Sequence, residues 1–336
     1  MFAWLRSLFP RRAAAAAALA RRAPERSSPP AVEPMPALPA PRGLGLDREP
    51  AGGHGLQPRE QQLLARVGLR VERRQIELPQ LPSTSSGAIE LCARPHVEIH
   101  EIVALVERDP VLTSELLRIA NSVLYAGNEP ATTLREAVLR VGLRTLRSML
   151  YAVSVRGALL GDRSLSTYAE EVWRQSGSCA AIARALAQPL GMEPEHAFLI
   201  GLLHDVGKLP LLAMLRKAAS KESEVTPALV GRMFRLYHEQ AGAALAQAWR
   251  MPEELVEVAR CHHDFTRNAG HARSAALASL AHQVDLNLSL GFEDEFRALV
   301  NGPELDYLGM ALDRRPVLLA LAQAAYEEQL GEHAAR

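Results

Sequence analysis

Gly201-Leu202-Leu203-His204-Asp205-Val206-Gly207-Lys208 places an imidazole and a carboxylate side by side in an apolar, helix-forming run. An unpaired aspartate buried among leucines is costly, so Asp205 requires a metal ion, a lysine or backbone N–H groups against it. Neighbouring helical residues diverge by about 100°, yet both can reach one ion lying beside the helix. Imidazole and carboxylate together suit divalent zinc, iron, manganese or nickel. The run continues in apolar sequence on both sides, which predicts one helix over residues 194–219.

Working outward, helical signals follow one another with no convincing strand. Asp109-Pro110 is a helix N-cap followed by proline at the first helical position. Behind it Leu112, Leu116, Leu117 and Ala120 fall on one face. Thr133 and Glu136 have the spacing of a capping box, and Leu134, Ala137, Val138, Val141, Leu146 and Leu150 then recur at helical period. Gly142 interrupts that face, where a missing side chain would let another helix come close. Further helices are predicted over 166–190, 229–249, 253–263, 274–290 and 316–329. The fold class is therefore all-α, an irregular multi-helix domain of two lobes sharing one interface.

The folded domain is placed at residues 78–329, with its second lobe at about 166–290. Leu78-Pro79 and Leu81-Pro82 open it in extended conformation, and residues 59–76 read as a short helix leading in. Before that, residues 23–58 are dominated by proline, alanine, glycine and arginine, and read as a disordered tether. Residues 1–22 read either as a frayed tail or as a short interfacial anchor. In the anchor reading Phe2, Trp4 and Phe9 beside Arg11 and Arg12 give weak membrane association. They make a poor signal peptide, and no apolar run approaches the length of a membrane span.

The 38 basic residues balance 38 acidic ones, so no whole-chain field recruits nucleic acid, and there is no basic stripe with interleaved aromatics. Cys92, Cys179 and Cys261 are odd in number and form no C-x-x-C. They fit buried packing in a reducing, cytoplasmic setting, and argue against disulfides or a thiolate zinc site.

Three further polar positions sit in helical contexts like that of Asp205. They are His238 ahead of an alanine-rich face, His262-His263 at a helix end, and Asp285 in Leu280-Ala281-His282-Gln283-Val284-Asp285. With His204 and Asp205 these four histidines and two carboxylates can converge on one or two ions. Each has a plainer reading. A lone histidine on an apolar helix is usually a hydrogen-bonded core residue, His262-His263 can cap a helix C-terminus, and His282 can pair with Asp285 at i, i+3.

Taken together, these stretches resemble the HDOD family, a branch of the HD superfamily related to HD-GYP proteins. The likeness is carried by Leu78-Pro-Gln-Leu-Pro82, Arg108-Asp109-Pro110 with Leu117-Arg-Ile-Ala-Asn-Ser122, and Ala137–Gly142. It continues through Trp173, Gly201–Lys208, His238 with Gly242, Trp249 with Pro252, and His262-His263. The resemblance implies an all-helical fold with an HD-like C-terminal lobe. It also implies a bacterial signal-transduction role exercised through a protein partner without turnover, with the Asn121-Ser122 turn and the inter-lobe groove as contact regions. It makes His204, Asp205, His238, His262, His263, Asp285 and Glu171 candidate ligands for iron, manganese or zinc. In the alternative it implies, a phosphohydrolase acting on a nucleotide or phosphate ester, Asp205 and Lys208 would be catalytic and Lys208 would meet the substrate phosphate. Two departures weigh against that alternative. Gln175 stands where the first metal histidine is expected, which weakens or removes the metal, and Asp264-Phe265-Thr266 replaces the tyrosine-proline signature after the paired histidines.

Overall fold

The structure, a computed structural model, describes residues 44–47, 55–121, 129–160, 165–267 and 270–334. Every regular element among them is helical. Helix α1 (Pro58–Glu72) buries Leu63, Val67 and Val71 along one face. It lies on two helices of the second lobe, so the packed unit begins well before residue 78. The first lobe is built from α2 (Ser83–Cys92), α3 (Ile99–Val106), α4 (Pro110–Ala120) and α5 (Leu134–Leu160), with α2, α3 and α4 all laid against α5. The two sequence caps form as read. Asp109 Oδ1 accepts from the Leu112 N–H at 3.1 Å, and Thr133 and Glu136 exchange bonds at 3.2 Å in each direction.

The apolar stripe of α5 is buried as expected, but Gly142 serves another purpose than close packing. A Cβ there would meet nothing within 4 Å, while its φ of +79° is a backbone state that L side chains rarely adopt. The glycine is required for the kink at this point in α5.

The second lobe contains α6 (Ser166–Ala187), α7 (Pro194–Leu203), α8 (Lys208–Ala218), α9 (Pro227–Ala248) and α10 (Glu253–Cys261). A 3₁₀ turn (His262–Arg267) leads to α11 (Ala272–Leu290), followed by α12 (Glu293–Ala298), α13 (Pro303–Tyr307) and α14 (Arg315–Ala334). Helix α11 is central and touches α6, α7, α10 and α13, while α14 covers α6. The single helix expected over 194–219 is in fact two, separated by a turn at 204–207. Pro210 has no N–H to offer the Val206 carbonyl, and the turn is closed instead by short bonds from Val206 to Leu203 and from Lys208 to Asp205.

Two expectations are corrected here. Residues Pro194–Ala218 are long and apolar enough to cross a membrane by composition, but 94% of the apolar 18-residue window within them is buried inside the fold, which makes it core. The tether reading over 23–58 fails at Leu44–Asp47, where Leu46 is only 2% exposed and packs into the second lobe. Phe2, Trp4 and Phe9 lie outside the described residues. All three cysteines are free, Cys179 and Cys261 buried and Cys92 half-buried.

Candidate metal centre

The turn at 204–207 ends α7 in the middle of the second lobe. Gly207 lets this turn press against α9, since a Cβ there would fall 2.0 Å from the His238 carbonyl oxygen. That close approach brings His204 and Asp205 to His238 on α9, to His262 and His263 after α10, and to His282 on α11. His204, Asp205, His238, His262 and His282 are buried, while His263 reaches the surface.

Three of these imidazoles are held alike. His204 Nδ1 lies 2.8 Å from the Gly201 carbonyl, His238 Nδ1 2.6 Å from that of Phe234, and His262 Nδ1 3.1 Å from that of Val258. A carbonyl oxygen only accepts, so each Nδ1 carries the proton and each Nε2 points its other face inward. The inward nitrogens then face one another. His238 Nε2 stands 3.4 Å from His262 Nε2 and 3.1 Å from His263 Nε2, and His204 Nε2 stands 3.2 Å from His282 Nδ1. Burial, helped by His263, holds His262 well below its ordinary pKa, and burial drives His282 down to about 3. With a proton on each outer Nδ1, the inward nitrogens of His204, His238 and His262 are free to act as ligand atoms.

Asp205 sits at the centre. Its Oδ1 is 3.4 Å from His238 Nε2 and 3.3 Å from His262 Nε2, and its Oδ2 is 3.2 Å from His204 Nε2 and 2.7 Å from Lys208 Nζ. These are ion-pair distances, yet neither oxygen has a hydrogen bond of acceptable geometry. Burial works to raise this carboxyl, but His204 and Lys208 prevail and hold it well below the usual carboxylate range. A buried carboxylate that no hydrogen bond completes, facing converging imidazole nitrogens, suits a divalent cation.

The donor set therefore fits a divalent transition ion. Asp205, His238, His262 and His263 offer ligand atoms within 4.8 Å of one another, and so does a second group of Asp47, Asp205 and His282, making Asp205 common to both. Cys179 groups with His204 and His282 in the same way, but burial pushes its thiol well above the ordinary value, so without an ion it is a neutral neighbour. A bound ion would lower the pKa of a coordinated water and polarise a phosphoryl oxygen.

Glu171 and Asp285 have a different use. Arg174, one residue before Gln175, takes both: Nε and Nη2 donate to Glu171 at 3.1 Å each, and Nη1 and Nη2 donate to Asp285 at 2.9 and 3.2 Å. Among the described residues, neither carboxylate joins a group of convergent ligand atoms. His282 does not pair with Asp285 at i, i+3; it faces His204 instead. His282 is the ligand candidate that the resemblance passed over.

Lys208, fully buried, sits between Asp205 and a residue from far upstream, Asp47, whose Oδ1 is 2.7 Å from Nζ. Gln175 completes the group, accepting from Lys208 at 3.2 Å and donating to Asp47 Oδ2 at 3.0 Å. Burial opposes the charge on Lys208, but Asp205 and Asp47 raise its pKa above the ordinary lysine value. Asp47 falls to about 2, Lys208 and His282 outweighing burial.

Of the expected contact regions, Ser122 lies outside the described residues and Asn121 is a clip. Its Nδ2 donates to the Ala131 carbonyl at 2.8 Å, and its Oδ1 accepts from the Ala131 N–H at 2.6 Å and from Arg140 at 3.0 Å.

These features agree with the sequence comparison, in which the HDOD domain profile matches residues 78–265. The chain belongs to the HDOD family. It is 29% identical over 248 residues to an uncharacterized protein of Treponema pallidum (strain Nichols), a match covering 71% of this chain and 46% of that one, so the chain spans about half that relative's length. Among solved structures it resembles an HDOD domain protein from Geobacter sulfurreducens, with a TM-score of 0.62, 24% identity, and 80% and 97% of the two chains covered. It also resembles a protein of Shewanella amazonensis SB2B named as a candidate metal-dependent phosphohydrolase, with a TM-score of 0.58, 22% identity, and 80% and 100% covered. A third, from Marinobacter aquaeolei VT8 and named as a candidate signal transduction protein, matches with a TM-score of 0.54 at 20% identity over 83% and 67%. At these identities the structural matches establish the fold.

Proposed function

We propose that the chain is a bacterial, cytoplasmic signal-transduction protein whose HDOD domain holds a divalent metal ion and acts through contacts with a protein partner, without turnover. The observation that carries this reading is the state of Lys208. The cation that would meet a substrate phosphate is wholly buried and closed off by Asp205, Asp47 and Gln175. Gln175 stands at the expected histidine position, and Arg174 engages the two carboxylates that the HD resemblance would give to metal. The histidine cluster keeps its inward-facing nitrogens, which makes the ion a stabilising and orienting element of the lobe.

That same intact cluster favours a second reading, a metal-dependent phosphohydrolase acting on a nucleotide or phosphate ester. Metal analysis and a hydrolysis assay on the purified chain separate the two. Stoichiometric iron, manganese or zinc is expected, with release of p-nitrophenol from p-nitrophenyl phosphate, and of phosphate from a nucleotide panel, no faster than for the His204→Ala/Asp205→Ala double variant. Turnover in the unmodified chain that disappears in that double variant would install the hydrolase in place of the silent module. An unmodified, folded chain without metal would remove the ion from both readings.

A further inference from the structure

Leu44–Asp47 comes from a part of the chain dominated by proline, alanine and glycine, yet it is fastened at every residue. The Leu44 N–H donates to Glu171 Oε1 at 3.2 Å on α6. Gly45 lies against Leu290 at the end of α11. Leu46 is buried, and its carbonyl accepts from Arg235 at 3.2 Å on α9. Asp47 closes on Lys208 and Gln175. Four helices of the second lobe thus hold one short strap, and its last side chain reaches the edge of the metal cluster, with ligand atoms of Asp205 and His282 within 4.8 Å of its own.

We propose that this strap is an intramolecular occupant of an anion pocket. The Asp47 carboxylate stands where a phosphate group would sit against Lys208 and Gln175, and a phosphate-bearing small molecule competes with the strap for that place. The proposal rests on reading Lys208 as an anion contact, and it adds what covers that contact and how it is uncovered.

The geometry supports a substitute anion over a simple structural ion pair. Lys208 already has one counter-charge in Asp205, its neighbour at i−3. Asp47 is a second, delivered from a segment 161 residues away. Its Oδ2 receives two donors at once, Lys208 Nζ at 2.8 Å and Gln175 Nε2 at 3.0 Å, and convergent charge-assisted donors of this kind suit a phosphoryl oxygen equally well. As part of the same chain the strap is present at a high local concentration, so it lowers the apparent affinity of any competitor by the fraction of time the pocket is closed.

Gly231 on α9 supplies a test remote from Lys208. A Cβ at this position would fall 2.5 Å from the Leu46 carbonyl oxygen, a backbone atom, so Gly231→Ala evicts the strap while improving helix propensity. Binding of inorganic phosphate to the full chain is measured by calorimetry for the unmodified protein, Asp47→Ala and Gly231→Ala. Both variants are expected to bind at least about tenfold more tightly, and adding Lys208→Gln to Asp47→Ala should return binding to the unmodified level or below. In the unmodified chain phosphate should speed hydrogen exchange at residues 44–47. Folded variants that bind phosphate no more tightly would overturn the proposal, and so would tighter binding that survives Lys208→Gln. Metal analysis of the same samples keeps the two readings apart. Tighter phosphate binding in an ion-free variant upholds the strap and rejects the metal, while a metal-loaded variant with unchanged binding rejects the strap alone.

Discussion

Two sets of buried polar groups lie side by side in the second lobe and behave in opposite ways. Around Arg174 the donors and acceptors close on each other, with four hydrogen bonds running from one guanidinium to Glu171 and Asp285. Around Asp205 they do not. His204, His238 and His262 are satisfied on their Nδ1 side, but their Nε2 atoms face further imidazole nitrogens, and both Asp205 oxygens lack a proper hydrogen bond. The carboxylates of both sets are buried, so burial does not separate them. A polar group that completes its bonds within the chain is holding the fold; one that leaves acceptors aimed at a common point is waiting for a ligand.

The largest expected effect breaks the closed set. Arg174→Met leaves two buried carboxylates without their cation and should cost roughly 3–5 kcal/mol in urea unfolding, with metal content unchanged. Its pH dependence has a definite sign. Burial pushes the Asp285 carboxyl above the ordinary range even with Arg174 against it, and removing Arg174 pushes it higher. A folded-state pKa above the unfolded one means that protonation favours the fold, so stability is present at low pH and lost as pH rises through the folded value. The deficit of Arg174→Met should therefore be smaller at about pH 5 than at about pH 8. A deficit that grows on acidification would mean that these carboxyls do not carry the cost.

A smaller effect is expected from the open set. Stripping the ion with a chelator should lower the melting temperature by roughly 5–10 °C, the size expected for a ligand held at about a hundred times its dissociation constant. His262→Ala should start from the lower value and ignore the chelator, whereas Arg174→Met should still respond. If His262→Ala responds as the unmodified chain does, the ion is bound elsewhere.

How far this contrast could be read in advance depends on the residue. His204, Asp205, His238, His262 and His263 were legible because imidazoles in apolar helical sequence are few and each lies near a turn or helix end. Glu171 enters the ligand set by resemblance and Asp285 by its apolar helical context, although Arg174 carries a warning: an arginine on a buried helix needs carboxylates, and Glu171 stands one turn before it. His282 stands three residues before Asp285, a spacing that equally allows a local pair. Residues three apart on α11 share a side of the helix, yet here one faces His204 and the other faces Arg174, a distinction that requires knowing the neighbouring helices. Asp47 was hidden by composition. The leucines at 44 and 46, an apolar pair in proline-rich sequence, were the only local sign that the tether docks.

Asn121 offers the smallest test, because it is a closed polar set on the surface. It joins the end of α4 to the approach to α5 through both directions of an amide bond with Ala131, and Arg140 adds a third contact. Asn121→Ala strands the N–H of the buried Ala131 and should cost about 1–2 kcal/mol. Asn121→Asp keeps an acceptor for the Ala131 N–H and for Arg140 and loses only the donated bond, so its cost should be about half as large. Both variants should keep their metal, since nothing on this clip touches the histidines. If partner binding is lost in Asn121→Asp while its stability stays within that range, the clip would prove to be a contact residue as well, and closure of its bonds would no longer be enough to call a polar group structural.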